Sequence, residues 1–353
     1  MSVLIAILIF GIIVTVHEFG HFICAKLSGI RVLEFSVGMG PKLLQKTKGE
    51  TKYSLRALPL GGYCAMEGED STNSDPRSFR NAKLWKRMVV LVAGAGLNFV
   101  LGFVVLIVWV SMMTGIGSMT VGGFDSVTND DGVVEYCAES RETGLRVGDK
   151  LIEIGGTRMY SLIDINYVLY GAPQDSYTVI VERDGEKVKL ENVVFENKND
   201  PSQKFDFLLT ARKRNPITIM QTAGENFMSM THIIGLSIKQ IFSGKMEKED
   251  VSGPVGVVSV ISESTENTKS LKETIFNLLY MTALITINVG IFNLLPIPGL
   301  DGGRLLFCFI ELIRRKPVKP EHEGYVHLAG MALLFGIMIF ATYNDIIKLI
   351  KGG

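Results

Sequence analysis

Two histidines and a glutamate near the start of the chain have the spacing of a metal site. His17, Glu18 and His21 form the sequence HEFGH inside the apolar run Met1–Ile23, which holds no other ionisable side chain. Residues four apart share one face of a helix, so both imidazoles can bind one metal ion while Glu18 acts as a base. Polar groups at bilayer depth are costly and by default functional. The pattern predicts a metal-dependent hydrolase that works within a membrane.

Two simpler explanations compete for this segment. HExxH can arise by chance, and an N-terminal apolar run can be a secretory signal peptide. However, no Lys or Arg precedes the run, and no small-residue cleavage site ends it. A removed leader also has no reason to carry metal ligands, so the sequence favours the metal site.

Four apolar blocks predict a membrane protein. Mean hydropathy is +0.28, and hydrophobic residues make up 47% of the 353-residue chain. Each block is about twenty residues or longer, enough to cross roughly 30 Å of hydrocarbon. We therefore expect a polytopic α-helical membrane protein with four transmembrane helices, within Val3–Ile23, Met88–Met113, Ile275–Leu295 and Val326–Leu349.

Charge asymmetry orients these four helices. Between Cys24 and Arg87 there are 12 Lys/Arg and 6 Asp/Glu, and five more basic residues lie between Pro296 and Tyr325. The segment Thr114–Thr274 carries 17 basic and 24 acidic residues, a net charge of −7. Because basic loops stay in the cytoplasm, the large middle segment and both termini are expected outside it, with the active site toward the cytoplasmic side.

The first half of the membrane core, residues 1–113, also contains a predicted β-hairpin over residues 34–63. Glycines interrupt this region, and Lys48-Gly49-Glu50 makes a plausible tip. The hairpin could lie at membrane depth if it is buried in protein or lines a watery cavity, or it could be an ordinary cytoplasmic hairpin. In the second apolar block, the small residues from Gly94 to Asn98 predict close helix packing, with or without a catalytic meaning.

The middle segment predicts a compact extracytoplasmic domain and a surface helix. Residues 118–213 show short strands between glycine turns, and Gly144–Gly156 resembles the core of a PDZ domain, a small α/β fold that binds extended peptide ends. Residues 216–250 are amphipathic and fit a helix at the membrane surface. The second half of the membrane core occupies residues 251–353. The four cysteines are far apart, and we expect them to be apolar filler rather than a disulfide or metal set.

The third metal ligand is expected to be Asp301. Zinc usually has three protein ligands and a water, and the histidine pair leaves one protein position to fill. Asp301 follows Pro296-Ile297-Pro298-Gly299, where prolines and a glycine break the third apolar block, and a lone acid at that depth needs a cation. The rival candidates are three histidines and three loop acids: His232, His322, His327, Glu67, Glu69 and Asp70.

Together these motifs resemble the site-2 protease family of intramembrane zinc metalloproteases, in particular its bacterial regulator-of-sigma-E protease (RseP) type. The resemblance covers nearly the whole chain in order, and one departure is that many members carry two PDZ domains whereas this chain has room for one. It rests on HEFGH, Leu60–Tyr63, the GxxxN pattern from Gly94, the PDZ-like stretch, Ser252–Val255, and NxxPxPxLDG from Asn293 to Gly302.

The resemblance implies a function and further site residues. It implies Zn²⁺ at the site, Glu18 as the catalytic base, and cleavage of single-span membrane proteins in or near the spanning segment, as in regulated intramembrane proteolysis. Anti-sigma factors and signal-peptide remnants are plausible substrates. It also implies that Asn293 and the hairpin residues Gly61, Gly62 and Tyr63 bind the unwound substrate. The expected location is the bacterial cytoplasmic membrane, with lipid and peptide ends as partners and no nucleic acid.

Two other functions compete with this one. A membrane-tethered PDZ adaptor would bind peptide ends without cutting them, but it leaves Glu18 and Asp301 unexplained. A transporter would suit the broken third block, but four crossings without repeat symmetry argue against it.

Overall fold

A computed structural model of the chain divides it into two compact units. The first unit comprises Met1–Val105 with Gln240–Gly353, and the second comprises Leu106–Lys239. The structure describes residues 2–69, 75–128, 134–171, 173–244, 253–266, 268 and 270–351.

The first unit begins with a long apolar helix, a two-stranded sheet and a second apolar helix. Helix α1 ends at Leu27, and Lys26 in its last turn carries a charge that suits the negative end of the helix dipole. Gly29, with φ of +77°, lets the chain turn back so that Ile30 N–H bonds Ala25 O. The elements are α1 (Ser2–Leu27), β1 (Val32–Lys48), β2 (Thr51–Met66) and α2 (Leu84–Met112).

Strands β1 and β2 are long enough to bend and pair twice. Residues 32–37 of β1 pair with residues 62–66 of β2 on one side, and residues 34–37 pair with 52–55 on the other. Gly38 and Gly40 both have φ of +82°, a conformation that favours glycine and permits the bend. In the described part of the chain, the run 62–66, which we call the edge run, is therefore at one edge of a sheet. This run lies beside α1, since Gly61 approaches Val14 of that helix.

The second unit is a small α/β domain followed by an amphipathic helix. Its main sheet has the order β10-β3-β6-β8-β9, with β7 paired to β6, and β4 pairs with β5. The strands are β3 (Ile116–Phe124), β4 (Ser126–Thr128), β5 (Val134–Tyr136), β6 (Lys150–Ile154), β7 (Thr157–Arg158), β8 (Tyr177–Arg183), β9 (Glu186–Val193) and β10 (Phe207–Arg212). The helices are α3 (Glu139–Glu142), α4 (Leu162–Asn166), which continues as a π-helical turn (Tyr167–Gly171), and α5 (Pro216–Phe242).

An apolar core and a buried polar contact between α4 and α5 hold this unit together. Leu151, Val179 and Phe207 are fully buried in one apolar cluster between the sheet and α4. Asp164 closes the first turn of α4 by accepting backbone N–H groups, and Ser229 on α5 donates to the same carboxylate. Helix α5 is therefore attached to the domain through a buried hydrogen bond to Asp164.

The chain completes the first unit with four helices, of which two are apolar enough to span a membrane. Helix α7 stops at Leu294, and residues 295–300 form an irregular link before α8 begins at Asp301. Gly302 and Gly303 fit tightly here, because a Cβ would lie 2.1 Å from Leu295 O and 2.5 Å from Ile297 O. The helices are α6 (Pro254–Glu266), α7 (Leu271–Leu294), α8 (Asp301–Arg314) and α9 (Pro320–Lys351).

The four predicted spans correspond to four helices in the described chain that are long and apolar enough to cross a bilayer, namely α1, α2, α7 and α9. The helices extend beyond the predicted blocks because polar residues continue them outside the hydrocarbon. Helices α6 and α8 were not predicted from the sequence. The predicted amphipathic element 216–250 is helical to Phe242, and residues 245–250 lie outside the described residues.

Candidate metal centre

The two histidines of HEFGH face each other on one side of α1. Their Nε2 atoms are 3.1 Å apart, and both side chains are buried, with 7% and 6% of the residue exposed for His17 and His21. The helical repeat produces this arrangement, since residues four apart project from the same face. The predicted pairing of the two imidazoles is therefore present in the structure.

Asp301 completes a cluster of three metal-donor side chains. Its Oδ2 lies 2.9 Å from His17 Nε2 and 3.2 Å from His21 Nε2. The break between α7 and α8 places Asp301 in the first turn of α8, from which the carboxylate reaches α1. Among the described residues, these three side chains form the group of His, Cys, Asp and Glu that could hold a metal ion.

The spacing of the three donors fits zinc. A tetrahedral zinc ion with bonds of about 2.0–2.1 Å sets its ligand atoms about 3.3 Å apart, and the observed separations are 2.9–3.2 Å. His21 Nδ1 lies 2.8 Å from Val90 O, so Nδ1 carries the proton and Nε2 presents its lone pair to the cluster. Lone pairs converging in a buried site require a cation between them.

Glu18 lies next to this cluster but takes another partner. Its Oε2 accepts the backbone N–H of Cys64 at 2.9 Å. Cys64 belongs to the edge run 62–66, so the glutamate stands between the metal donors and the free edge of the sheet. This bond holds one carboxylate oxygen, and a carboxylate beside metal ligands has the chemistry of a general base.

The hairpin residues predicted to bind substrate lie on or beside the same edge. Gly61 and Gly62 precede Cys64, and a Cβ at Gly62 would lie 2.5 Å from Ser36 O. The Tyr63 hydroxyl accepts a hydrogen bond at 2.6 Å from Nη2 of Arg56, which lies earlier in β2. Asn293 lies near the end of α7, and its side-chain amide donates to Val289 O at 2.9 Å.

The rival candidates within the first unit are engaged elsewhere. His327 Nδ1 accepts the Gly299 N–H at 2.9 Å, and Glu67 lies 3.9 Å from Arg31. Glu69 pairs with Arg304, and His322 is exposed on α9. Asp70 lies outside the described residues.

The sixth rival, His232, belongs to the second unit. Its Nδ1 is 3.6 Å from Asp164 Oδ1, so it belongs to the polar contact between α5 and α4.

Several contacts at the site could not have been found from the sequence. The Val90 carbonyl and the Cys64 amide are backbone groups, and every residue carries such groups. The Glu69–Arg304 pair joins residues 235 positions apart. One signal did exist, because an arginine three residues after Asp301 at membrane depth calls for an acidic partner.

Comparisons with known proteins match nearly the whole chain. The profile of peptidase family M50 matches residues 5–337. A Fusobacterium nucleatum protein named "Putative zinc metalloprotease FN1322" is 34% identical, over 99% of both chains. The regulator of sigma-W protease RasP of Bacillus subtilis is 28% identical, over 99% of both chains, and the zinc metalloprotease RasP of Shouchella clausii is 29% identical, over 99% of this chain and 100% of the relative.

Proposed function

Since the chain belongs to peptidase family M50, the site-2 protease family, we propose that it cleaves single-span membrane proteins in or near their spanning segment. It is a multi-pass membrane protein and a zinc metalloprotease. In this proposal His17, His21 and Asp301 hold the zinc ion and Glu18 is the catalytic base. The convergence of the three donor atoms beside Glu18 is the observation that carries the assignment.

The chain's own residues divide the chemistry between them. Bound zinc supplies a Lewis acid that polarises the scissile carbonyl and acidifies a water molecule. Glu18 takes the proton of the attacking water and passes it to the leaving amine. The Cys64 N–H holds one oxygen of Glu18 and so keeps the carboxylate aimed at the cluster. Hydrolysis at bilayer depth also needs a polar path by which water arrives.

The edge run 62–66 is the proposed docking edge for the substrate. A helix shields its own peptide bonds, so the substrate must unwind before it is cut. An unwound segment can add to an exposed sheet edge through backbone hydrogen bonds. Gly61, Gly62 and Tyr63 lie where such a strand would run past Glu18, and Asn293 is proposed to hold the substrate on its other side.

The second unit is proposed to be a single PDZ-like domain that selects substrates by their peptide ends. Its strand and helix order and the glycine turn at Gly155-Gly156, where both φ values are positive, support this. Helix α5 carries exposed apolar residues, among them Ile217, Met220 and Phe242, that fit a membrane surface. A protein of the RseP type with one PDZ-like domain matches these features.

The proposed location is the bacterial cytoplasmic membrane, with the PDZ-like domain extracytoplasmic. The basic loops after α1 and around α8 support this orientation. His17 and His21 lie toward the end of α1 that leads into the first basic loop, which supports a cluster on the cytoplasmic side. The Bacillus subtilis relative is named a regulator of sigma-W. Membrane-bound anti-sigma factors are therefore proposed substrates, in regulated intramembrane proteolysis.

Cleavage by wild-type protein and by Glu18→Gln tests this proposal. The substrate is a single-span protein whose extracytoplasmic part has been shortened, and the products are read by mass spectrometry. Wild type should cut within or near the span, whereas Glu18→Gln should retain zinc and cut about a hundred- to ten-thousandfold more slowly. Glu50→Gln is the matched control and should cleave normally, because Glu50 at the hairpin tip pairs with Lys26 and Arg77 and not with the candidate metal ligands. Binding of peptide ends without cleavage by wild type would instead identify an adaptor.

A further inference from the structure

One stripe of α2 contacts both histidines of the cluster. Val90, Gly94 and Asn98 are spaced four apart, so they lie on one face of the helix. Val90 O accepts a hydrogen bond from His21 Nδ1, with 2.8 Å between the two atoms. At Gly94 a Cβ would lie 2.5 Å from His21 Nε2 and 2.7 Å from His17 Cε1. The rings therefore rest against bare backbone at this position.

The third member of the stripe faces the remaining ring nitrogen. The Asn98 amide nitrogen lies 3.4 Å from His17 Nδ1, and the residue is completely buried. Its Oδ1 has no hydrogen-bond partner among the described residues. A buried amide oxygen without a hydrogen-bond partner destabilises the folded state. Rotation about χ2 of Asn98 would therefore bring this unused acceptor to His17.

The proton on His17 determines which end of the amide must face the ring. If Nε2 of His17 binds a metal, Nδ1 must carry the proton and needs an acceptor. The oxygen and nitrogen ends of an asparagine amide have nearly the same shape and exchange by a half-turn of χ2. That half-turn brings Oδ1 to His17 Nδ1 and gives the orphaned oxygen its partner. One rotation thus pairs the Nδ1–H group of His17 with the amide oxygen, and the amide NH2 group takes the position in which Oδ1 has no partner among the described residues.

We propose that Asn98 is a positioning residue whose Oδ1 accepts a hydrogen bond from the Nδ1–H group of His17. In this proposal Val90, Gly94 and Asn98 together fix the positions of the two histidine rings. This inference rests on the proposed metal site. The asparagine fixes the ring rotation and tautomer of His17, as the Val90 carbonyl does for His21. Groups in this role typically change metal affinity 10–100-fold when they are removed.

The packing role of Asn98 can be separated from its side-chain role. Thr286 Oγ1 on α7 donates to the backbone oxygen of Asn98 at 3.3 Å. A substitution at position 98 leaves that backbone bond in place. A change in zinc binding after substitution therefore reports on the amide rather than on the contact between α2 and α7.

Zinc retention by purified full-length variants tests the proposal. Asn98→Leu removes the acceptor, whereas Asn98→Asp keeps an acceptor oxygen in the same place. The zinc half-saturation point against a graded chelator is measured for each variant, together with the visible spectrum of the cobalt-substituted protein, which reports ligand geometry. Asn98→Leu should bind zinc 10–100-fold more weakly with an altered cobalt spectrum, and Asn98→Asp should remain within about threefold of wild type.

A glycine pair on the same helix supplies a matched control. Gly94→Ala should weaken zinc binding, because its Cβ would press on both rings, whereas Gly96→Ala meets open space and should not. Wild-type zinc affinity in Asn98→Leu, or equal losses in Asn98→Leu and Asn98→Asp, would overturn the role given to Asn98. These readouts need no substrate. A failure of the proposed proteolysis would therefore appear separately, as intact zinc binding without cleavage.

Discussion

Replacement of Arg304 tests how the edge run 62–66 is held beside the metal donors. Glu69 accepts the Met66 N–H at 3.4 Å through Oε2 and pairs through Oε1 with Arg304 in the first turn of α8. Asp301 lies in the same turn. The ion pair therefore ties the end of the edge run to the helix that carries the third donor. Without it, the strand should shift relative to the cluster.

The size of the effect follows from the exposure of the pair. Hydrogen bonds between charged groups contribute about 1.5–3 kcal/mol. The side chains of Arg304 and Glu69 are 28% and 19% exposed, so solvent screening reduces this to about 1–2 kcal/mol. If the loss falls on the positioning of substrate, kcat should drop about 5- to 30-fold. Zinc content should stay unchanged, because Asp301 itself is untouched.

A double-mutant cycle with Arg304→Met and Glu69→Gln provides the assay. Cleavage of a single-span substrate and zinc content are measured for both single variants and the double variant. The cycle separates the pair from the other contacts of Arg304. The double variant should be no slower than the worse single variant, and Arg304→Lys should recover most of the rate.

The Arg80–Glu323 pair is a matched control for general destabilisation. Its side chains are 18% and 14% exposed and 2.9 Å apart, and it joins the segment before α2 to α9 rather than the edge run to α8. Arg80→Met should leave kcat within about twofold of wild type. Independent, additive losses for the Glu69 and Arg304 variants, or the same loss in Arg80→Met, would refute the positioning argument.

Three further outcomes are expected. Arg56→Lys should make β2 more sensitive to limited proteolysis, since the guanidinium bonds Glu34 at 3.0 Å and three other groups, which an ammonium cannot reach together. Burial raises the pKa of Asp206 from 3.8 to about 6, so the folded state binds this proton more tightly and stability should fall by about 3 kcal/mol as pH rises from 4 to above 6. Asp206→Asn should abolish that slope in urea unfolding monitored in the second unit. Asp345→Asn should speed hydrogen exchange at Gly253, because the buried carboxylate accepts its N–H at 2.9 Å near the start of α6.

Local signals allowed the three side chains of the candidate metal centre to be predicted from the sequence. The histidine pair follows from helical periodicity alone, and Asp301 follows from a broken apolar block with a lone acid behind it. The groups that orient these donors carry no such signal. Val90 contributes only a carbonyl and Cys64 only an amide, and Gly94 acts through the absence of a side chain. Their roles depend on how α1 and α2 pack, which the sequence does not express.

The unpredicted helices have a similar explanation. Helix α8 is amphipathic and begins at Asp301, but its turn signals lie within a stretch that also ends a membrane span. Helix α6 starts at Pro254, where Gly253 packs against the backbone of α9 near Ala341. Gly253 permits this close approach, because a Cβ there would lie 2.9 Å from Thr342 N. A Cβ at Gly256 would lie 2.9 Å from Asp345 Oδ1, so glycine is also needed at that position. Distant helices thus decide these boundaries, which local propensity could not.

Two carboxylates cover part of the free edge of the hairpin sheet, and this limits where a substrate can pair. In a β-strand every second backbone amide points to the same side. On the edge run, Cys64 N–H is bound by Glu18 and Met66 N–H by Glu69. A substrate strand longer than a few residues would therefore have to pair on the Gly62 side of Cys64, which places its end next to Glu18 and the metal donors. The same carboxylates also discourage the sheet edges of two copies from joining, because charged groups on an edge oppose such pairing.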